Sequence, residues 1–467
     1  MILRSIKSLR HFSTAASSTV PSIQIRIHHD PNSTSPLSNL NLNIEPRWSE
    51  DYELISTNGG ITTDITGDVN QETRKLKLNI HVPSTATDST LLLAVPQRCH
   101  VTMMGSKTLN LKHNVHVGNG CGRLEGDLKV FVPQGDIHVQ KSRGENVELR
   151  TANGGVHIKS VLEGLNADIS STNGFSAKRV MGENVTVRVS GGGNHDEAEN
   201  SNGSTEETDN KINISAIYGG QFYLQSPKGS VNIDTAQVRG LDVRSGGSEG
   251  IRVGGMSGTI IAHAIHNQDD IKDSNNASNN ASTMPGDVHV NFDQMFPVIT
   301  GGKKNQDSKG ADNENSFFDF PERSTLKSDG HVHVALSDAT PFAVHVDLKT
   351  YEGDITLPLD YDSNNAPIDL GRQASTSDIK TALFVPDEKE EDDAHRVRGV
   401  LRSAPKKKPR ASNSGGSGKI SSNAGSDLLN MKQGGKDYQG SLIVMAEKDV
   451  SVSIHGWMDR IKAKHMG

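Results

Sequence analysis

Aromatic residues make up only 4% of this 467-residue chain, and hydrophobic residues of every kind reach 33%. That scarcity excludes one large globular core; it leaves a slim core of small aliphatics carrying long solvated loops. Cysteine is equally rare, with Cys99 and Cys121 alone in the chain. Two thiols do not staple a secreted scaffold of this length, so a reducing compartment fits better, and sequence spacing alone does not bring the two within disulfide reach. Long apolar runs are missing too. The longest, Leu91 to Val95, falls far short of the roughly 18 residues that span a bilayer, so no transmembrane segment is expected. Basic charge is not in excess: the formal net charge of -7 offers no surface for nucleic acid. Helical periodicity is nearly absent before the last dozen residues, where "WMDRIKAKH" fits a short helix or a cap over an open sheet edge.

The N-terminus has what the body lacks. "MILRSIKSLRHFSTAASSTV" carries Arg4, Lys7 and Arg10, several hydroxyl residues, and no acidic residue before Asp30. Its apolar run is too short for a secretory signal, and Ile2, Ile6 and Leu9 share one helical side. Residues 1–22 therefore read as a mitochondrial transit peptide, with cleavage after Phe12 in "RHFS" and a matrix destination. A disordered basic tail is the competing reading. Six Asn-x-Ser/Thr sequons, at Asn32, Asn184, Asn202, Asn213, Asn276 and Asn280, keep an extracellular alternative open.

Glycine, at 46 residues, is abundant and periodic. Gly135, Gly154 and Gly174 mark one phase, and Gly144, Gly164 and Gly182 a second, with about twenty residues per unit. After each second-phase glycine, apolar residues alternate: Val147 and Leu149, Ala167 and Ile169, Val185 and Val187. After the first phase come Ile137 and Val139, Val156 and Ile158, then Phe175 and Ala177 displaced by one. Alternation with period two is a strand with one buried face, and glycine supplies the positive φ of the turns between strands. One such unit cannot bury its apolar face alone; stacking on its neighbours does. The beat recurs in "KLKLNIHV", "GDLKVFV", "KINIS", "GSVNID", "GHVHVAL" and "VSVSIHGW". The expected fold is all-β: a single-domain, single-stranded-type β-solenoid, parallel β-helix-like, over residues 50–467, with 23–49 as a leader to the first coil and a right-handed crossover. Four low-complexity insertions interrupt it, at 191–210, 266–284, 302–328 and 361–438, and are expected to be disordered.

Repeated Thr/Ser-x-Asn-Gly followed by Gly-x-Val-x-Val, a Gly-led strand midway, a basic leader, and a closing strand ending in Gly456-Trp457 resemble an adhesin-like β-solenoid "domain of unknown function". That bacterial family has mitochondrial-targeted eukaryotic relatives. The resemblance is strongest over 125–260 and implies a solenoid fold; it transfers no ligand and no catalytic residue.

Histidine recurs between inward aliphatics, at His138, His157, His289 and His333. In-register stacking would bring His138 and His157 about 4.8 Å apart on one face, as a weak metal-site or pH-sensing pair, against the simpler reading of exposed strand positions. Gly-Asp pairs at Asp68, Asp127, Asp136, Asp287 and Asp354 would suit either general acid–base work or turn-to-strand junctions, and aspartate favours the junction. No nucleophile elbow or phosphate loop is present. "PKKKPR" at 405–410 has the composition of a nuclear import signal but lies beside an acidic run, which fits a charged linker better. The expectation is a non-enzymatic mitochondrial scaffold or binding protein with a protein partner, no cofactor and no catalytic residue. An extracellular adhesin or polysaccharide-acting β-helix is the alternative.

Overall fold

The computed structural model describes residues 20–29, 38–49, 52–58, 61–66, 75–82, 88–106, 111–118, 122–191, 210–264, 286–294, 323–337, 343–357, 382–386, 395–403 and 440–455. Every regular element among them is a strand. Contacts divide the chain into two compact units, Met1–Val290 with Lys327–His331, and Asn291–Leu326 with Val332–Gly467.

The first unit opens with β1 (Ser22–His29), β2 (Ser38–Arg47), β3 (Glu53–Asn58), β4 (Thr62–Thr66), β5 (Lys75–Val82), β6 (Asp88–Pro96), β7 (His100–Met104), β8 (Leu111–Val117), β9 (Leu124–Glu125) and β10 (Leu128–Val132). Six long strands follow: β11 (Ile137–Thr151), β12 (Val156–Ser171), β13 (Phe175–Val189), β14 (Ile212–Ser226), β15 (Val231–Ser245) and β16 (Ile251–Ala264). All of β11 to β16 pair in parallel with their sequence neighbours. Each is a whole coil, bent midway, so that its leading and trailing halves belong to two columns of strands. The leading column continues through β8, β2 and β6, and the trailing column through β10, β7, β1 and β5.

The apolar beat fills the space between the columns. In the leading halves Ile137, Val156, Phe175, Ile212, Val231 and Ile251 form one buried row in strict register. In the trailing halves Leu149, Ile169, Val187, Leu224 and Val243 form another, each at most 2% exposed. Covering each such side chain stabilises the fold by about 1.5–3 kcal/mol, and the coils above and below, together with the facing column, provide the cover.

At the bend, Gly144, Gly164, Gly182 and Gly219 align. Among these, Gly219 has a positive φ, of 131°. A Cβ on Gly144 or Gly182 would collide with the carbonyl oxygen of Gly126 or Gly164 in the preceding coil. The expectation that turn glycines serve positive φ therefore holds at Gly135, Gly174 and Gly219 and is corrected at Gly144 and Gly182, where close backbone approach selects glycine. The Thr/Ser of each Thr/Ser-x-Asn-Gly motif has a separate duty. Buried Thr151 donates its hydroxyl to the Gly135 carbonyl at 2.7 Å, and buried Ser171 donates to that of Gly174 at 2.8 Å.

Residues 23–49 are not a leader. β1 inserts between β5 and β7, with Ile25 opposite Leu78 and Met103, and β2 inserts between β6 and β8. Both strands alternate without any glycine, and their partners are distant in sequence. β4 lies antiparallel on β5 and β3 antiparallel on β6, covering edges that would otherwise template further pairing.

Strands β17 (Val288–Gln294) and β18 (Ser324–Ser328) follow, so the end of the expected 302–328 insertion is ordered. The second unit contains β19 (Val332–Ser337), β20 (Ala343–Thr350), β21 (Ile355–Thr356), β22 (Ala382–Pro386), β23 (Arg396–Ser403), β24 (Gly440–Ala446) and β25 (Val450–His455). β25 pairs in parallel with both β19 and β21, and β24 in parallel with β20. β23 packs antiparallel on β20 and on β22. Two strands thus lie inside the expected 361–438 insertion. Burial of Leu401 and a bidentate pair from Arg396 to Asp347, both at 3.0 Å, supply what the surrounding charged sequence hides. Where a single domain is expected, contacts give two compact units, whose boundaries fall within β17, after Val290, and within β18, before Lys327. The transit segment through residue 19, residues 192–209 of the expected 191–210 insertion, all of the expected 266–284 insertion, "PKKKPR" and the C-terminal "WMDRIKAKH" lie outside the described residues.

Candidate functional site: a histidine ladder and a polar groove

Strict register carries outward side chains into rows as surely as inward ones. On the leading column, the residue between two buried aliphatics faces out: His116 between Val115 and Val117, His138 between Ile137 and Val139, His157 between Val156 and Ile158. Register pairs His116 with His138 and His138 with His157. The rings stack, with centroids 4.6 Å apart at 5° for the first pair and 4.9 Å at 18° for the second. The next rung is Ser176, whose Oγ lies 2.7 Å from His157 Nδ1. Asn213 and Asn232 follow, Asn232 Nδ2 donating to Asn213 Oδ1 at 3.1 Å, and Arg252 continues the row on β16.

Packing against one another removes water from the rings. Burial pushes His138 down to about 4, reinforced by repulsion from His116 and His157 and opposed by Asp136. His116 and His157 are lowered as well, chiefly by burial and then by Lys159 for His116, while for His157 Asp136 is the larger, opposing influence. At neutral pH the ladder is a column of neutral imidazoles. Two ligands of one tetrahedral ion, each about 2.0–2.1 Å from it, must approach more closely than stacked rings do. Among the described residues no group of three or more His, Cys, Asp or Glu is placed to hold a metal ion.

Structure joins the expected pair His138 and His157 and adds His116, which sequence reasoning passed over although "NVHV" shows the same pattern. It does not add His289 or His333. His289 stands 4.0 Å from Asp287, and His333 Nδ1 lies 2.6 Å from Ser451 Oγ in the second unit. Aspartates after glycine act at junctions. Asp127 accepts from the Asn146 backbone N–H at 2.8 Å, Asp136 from Gly155 at 2.8 Å and Asp287 from His331 at 2.9 Å. Each carboxylate ties one coil to the next. Asp354 instead donates its backbone N–H to Asp449 at 2.9 Å, and Asp68 lies outside the described residues. Cys99 is buried, which pushes its thiol up to about 11; Cys121 lies outside the described residues.

The trailing column presents charge that is already matched. Asp168 receives Arg150 at 2.8 Å and Arg188 at 3.3 Å, and the Tyr223 ring lies within 5.8 Å of Arg188 and 5.4 Å of Arg244. The leading column differs. Beside the row of Ser176, Asn213 and Asn232 runs a second outward row of Lys159, Lys178, Ser215 and Asp234, and an open groove of about 370 Å³ lies along both. Among the described residues, no helix is long and apolar enough to cross a membrane. No family model, curated protein or solved structure matches the chain.

Proposed function

We propose that the chain is a non-enzymatic solenoid scaffold of the mitochondrial interior that binds another protein through the outward face of its leading column. One observation carries the reading: six in-register rungs, from His116 to Asn232, present a continuous polar row backed by a close-packed core. A rigid, repetitive face of this kind suits recognition of an extended surface. The basic, acid-free first 29 residues support mitochondrial delivery. Proximity labelling from a C-terminal fusion tests both parts, since matrix proteins should be enriched and partner cross-links should map to the leading column. Recovery of the fusion outside mitochondria would refute the location.

A second reading, an extracellular adhesin or polysaccharide-acting solenoid, is favoured by the exposed sequon residues Asn184 and Asn213. A mobility shift of secreted material on deglycosylation would support it over the first.

A further inference from the structure

We infer that the groove beside the histidine ladder docks an extended polypeptide segment carrying two acidic residues followed by a basic one. This rests on the protein-binding reading and names the partner's chemistry. Ala177, Ile214 and Ile233 are in register, so the residues after them, Lys178, Ser215 and Asp234, occupy successive rungs about 4.8 Å apart, and Lys159, at the bulge that follows Ile158 on the preceding coil, lines the same groove. Lys159, Lys178 and Asp234 are exposed, and none has an ion-pair partner among the described residues. On the trailing column, by contrast, Lys129 meets Glu148 and Arg150 meets Asp168. Two cations on neighbouring coils, then a hydroxyl, then an anion, none of the charges matched among the described residues, make a charge gradient along the groove.

The parallel row supplies hydrogen bonds of matching kind. Ser176, Asn213 and Asn232 offer hydroxyl and amide groups, and an amide both donates and accepts, as a peptide bond does. Three features select a peptide over other anions. No aromatic ring lines the groove, so single-stranded nucleic acid finds no stacking platform. Asp234 would repel a uniformly anionic polymer running the groove's length, whereas a polypeptide can change sign. The chain's net charge of -7 also disfavours a long polyanion and tolerates a short acidic segment. Extended peptide rises about 3.3 Å per residue, so acids two residues apart reach Lys159 and Lys178, and a base about three residues further reaches Asp234.

Fluorescence anisotropy of the full chain with a labelled peptide of sequence Gly-Glu-Ser-Glu-Gly-Ser-Lys-Gly tests this directly. Reversing both cations, Lys159→Glu with Lys178→Glu, should weaken binding by about tenfold or more, and Asp234→Lys should shift preference toward an all-acidic peptide. Lys129→Glu, on the other column, should leave affinity within about twofold. Circular dichroism of each variant establishes folding, since all four positions point outward. Absence of saturable binding, equal binding by the double reversal, or tighter binding of an oligouronate of matched charge would overturn the inference. Proximity labelling separates this failure from that of the broader reading: a protein partner cross-linked to another part of the leading column would leave the scaffold standing without the groove.

Discussion

His113 makes the interior of the first unit sensitive to acid. Its side chain is fully buried on β8, and its Nε2 accepts the Ser106 backbone N–H at 3.3 Å. Burial pushes the imidazole down from 6.5 to about 4, and neighbouring His29 adds repulsion. Between these values an unfolded chain takes up a proton that the folded one refuses. Stability is therefore complete above about pH 6.5, declines as pH falls toward 4, and declines no further once both states are protonated. The displacement is equivalent to about 3 kcal/mol, a large share of the marginal stability of a folded domain. His113→Gln keeps an acceptor for Ser106 but does not titrate. Urea titrations by circular dichroism at pH 7.5, 6.5, 5.5 and 4.5 should show the variant about 1–3 kcal/mol less stable at the highest pH. The two stabilities should converge as the pH falls, because histidines remote from His113 contribute equally to both proteins. Parallel pH profiles would refute the assignment of acid sensitivity to His113.

Val187 is fully buried between Ile169 and Leu224, so Val187→Asp should cost at least about 3 kcal/mol and send the protein to the insoluble fraction on expression. Gly219→Ala combines a φ of 131° with a collision against the Gly182 carbonyl and should cost about 1–3 kcal/mol in the same urea titration. Ser171→Ala removes the donor to the Gly174 carbonyl and should cost about 1–3 kcal/mol, with hydrogen exchange rising first at that turn. His157→Ala removes a repelling and shielding neighbour, so the NMR midpoint of His138 should rise from about 4 toward 6.5; an unmoved midpoint would show that the rings titrate independently.

The core was legible because its signal is local. Val147 and Leu149, Ala167 and Ile169, and Val185 and Val187 alternate after a glycine and are all buried. Even the slipped copy is explained: Phe175 and Ala177 pair with Val156 and Ile158, since the turn at Gly174 is one residue shorter. What escaped was whatever lacked glycine or lay far from its partner. "SIQIRIHH" alternates as cleanly as any later strand, yet Ser22 pairs with Lys75 and His100, and no spacing rule points there. In β23 the alternation sits amid charges, and only Asp347 on β20 shows why Arg396 and Arg398 belong in a sheet. His138 and His157 fall on one face as soon as stacking is inferred; Lys159 and Lys178 stand out only once the fold shows that no carboxylate among the described residues meets them.

That difference has a physical root. In a stacked coil the inward residue is selected by its neighbours above and below, so its chemistry repeats and a single sequence displays the rule. The outward residue faces solvent, and the fold accepts His, Ser, Asn or Lys there at nearly equal stability. Register still aligns such residues into rows, so any cluster that forms is ordered by the core without being required by it. A row whose charges answer one another, such as Arg150, Asp168 and Arg188, adds cohesion between coils. A row whose charges go unanswered adds none, and like charges on adjacent rungs oppose stacking. Lys159 and Lys178 are such a pair, on neighbouring coils and kept in place by the core beneath them, and the acidic segment proposed for the groove would relieve the repulsion between them.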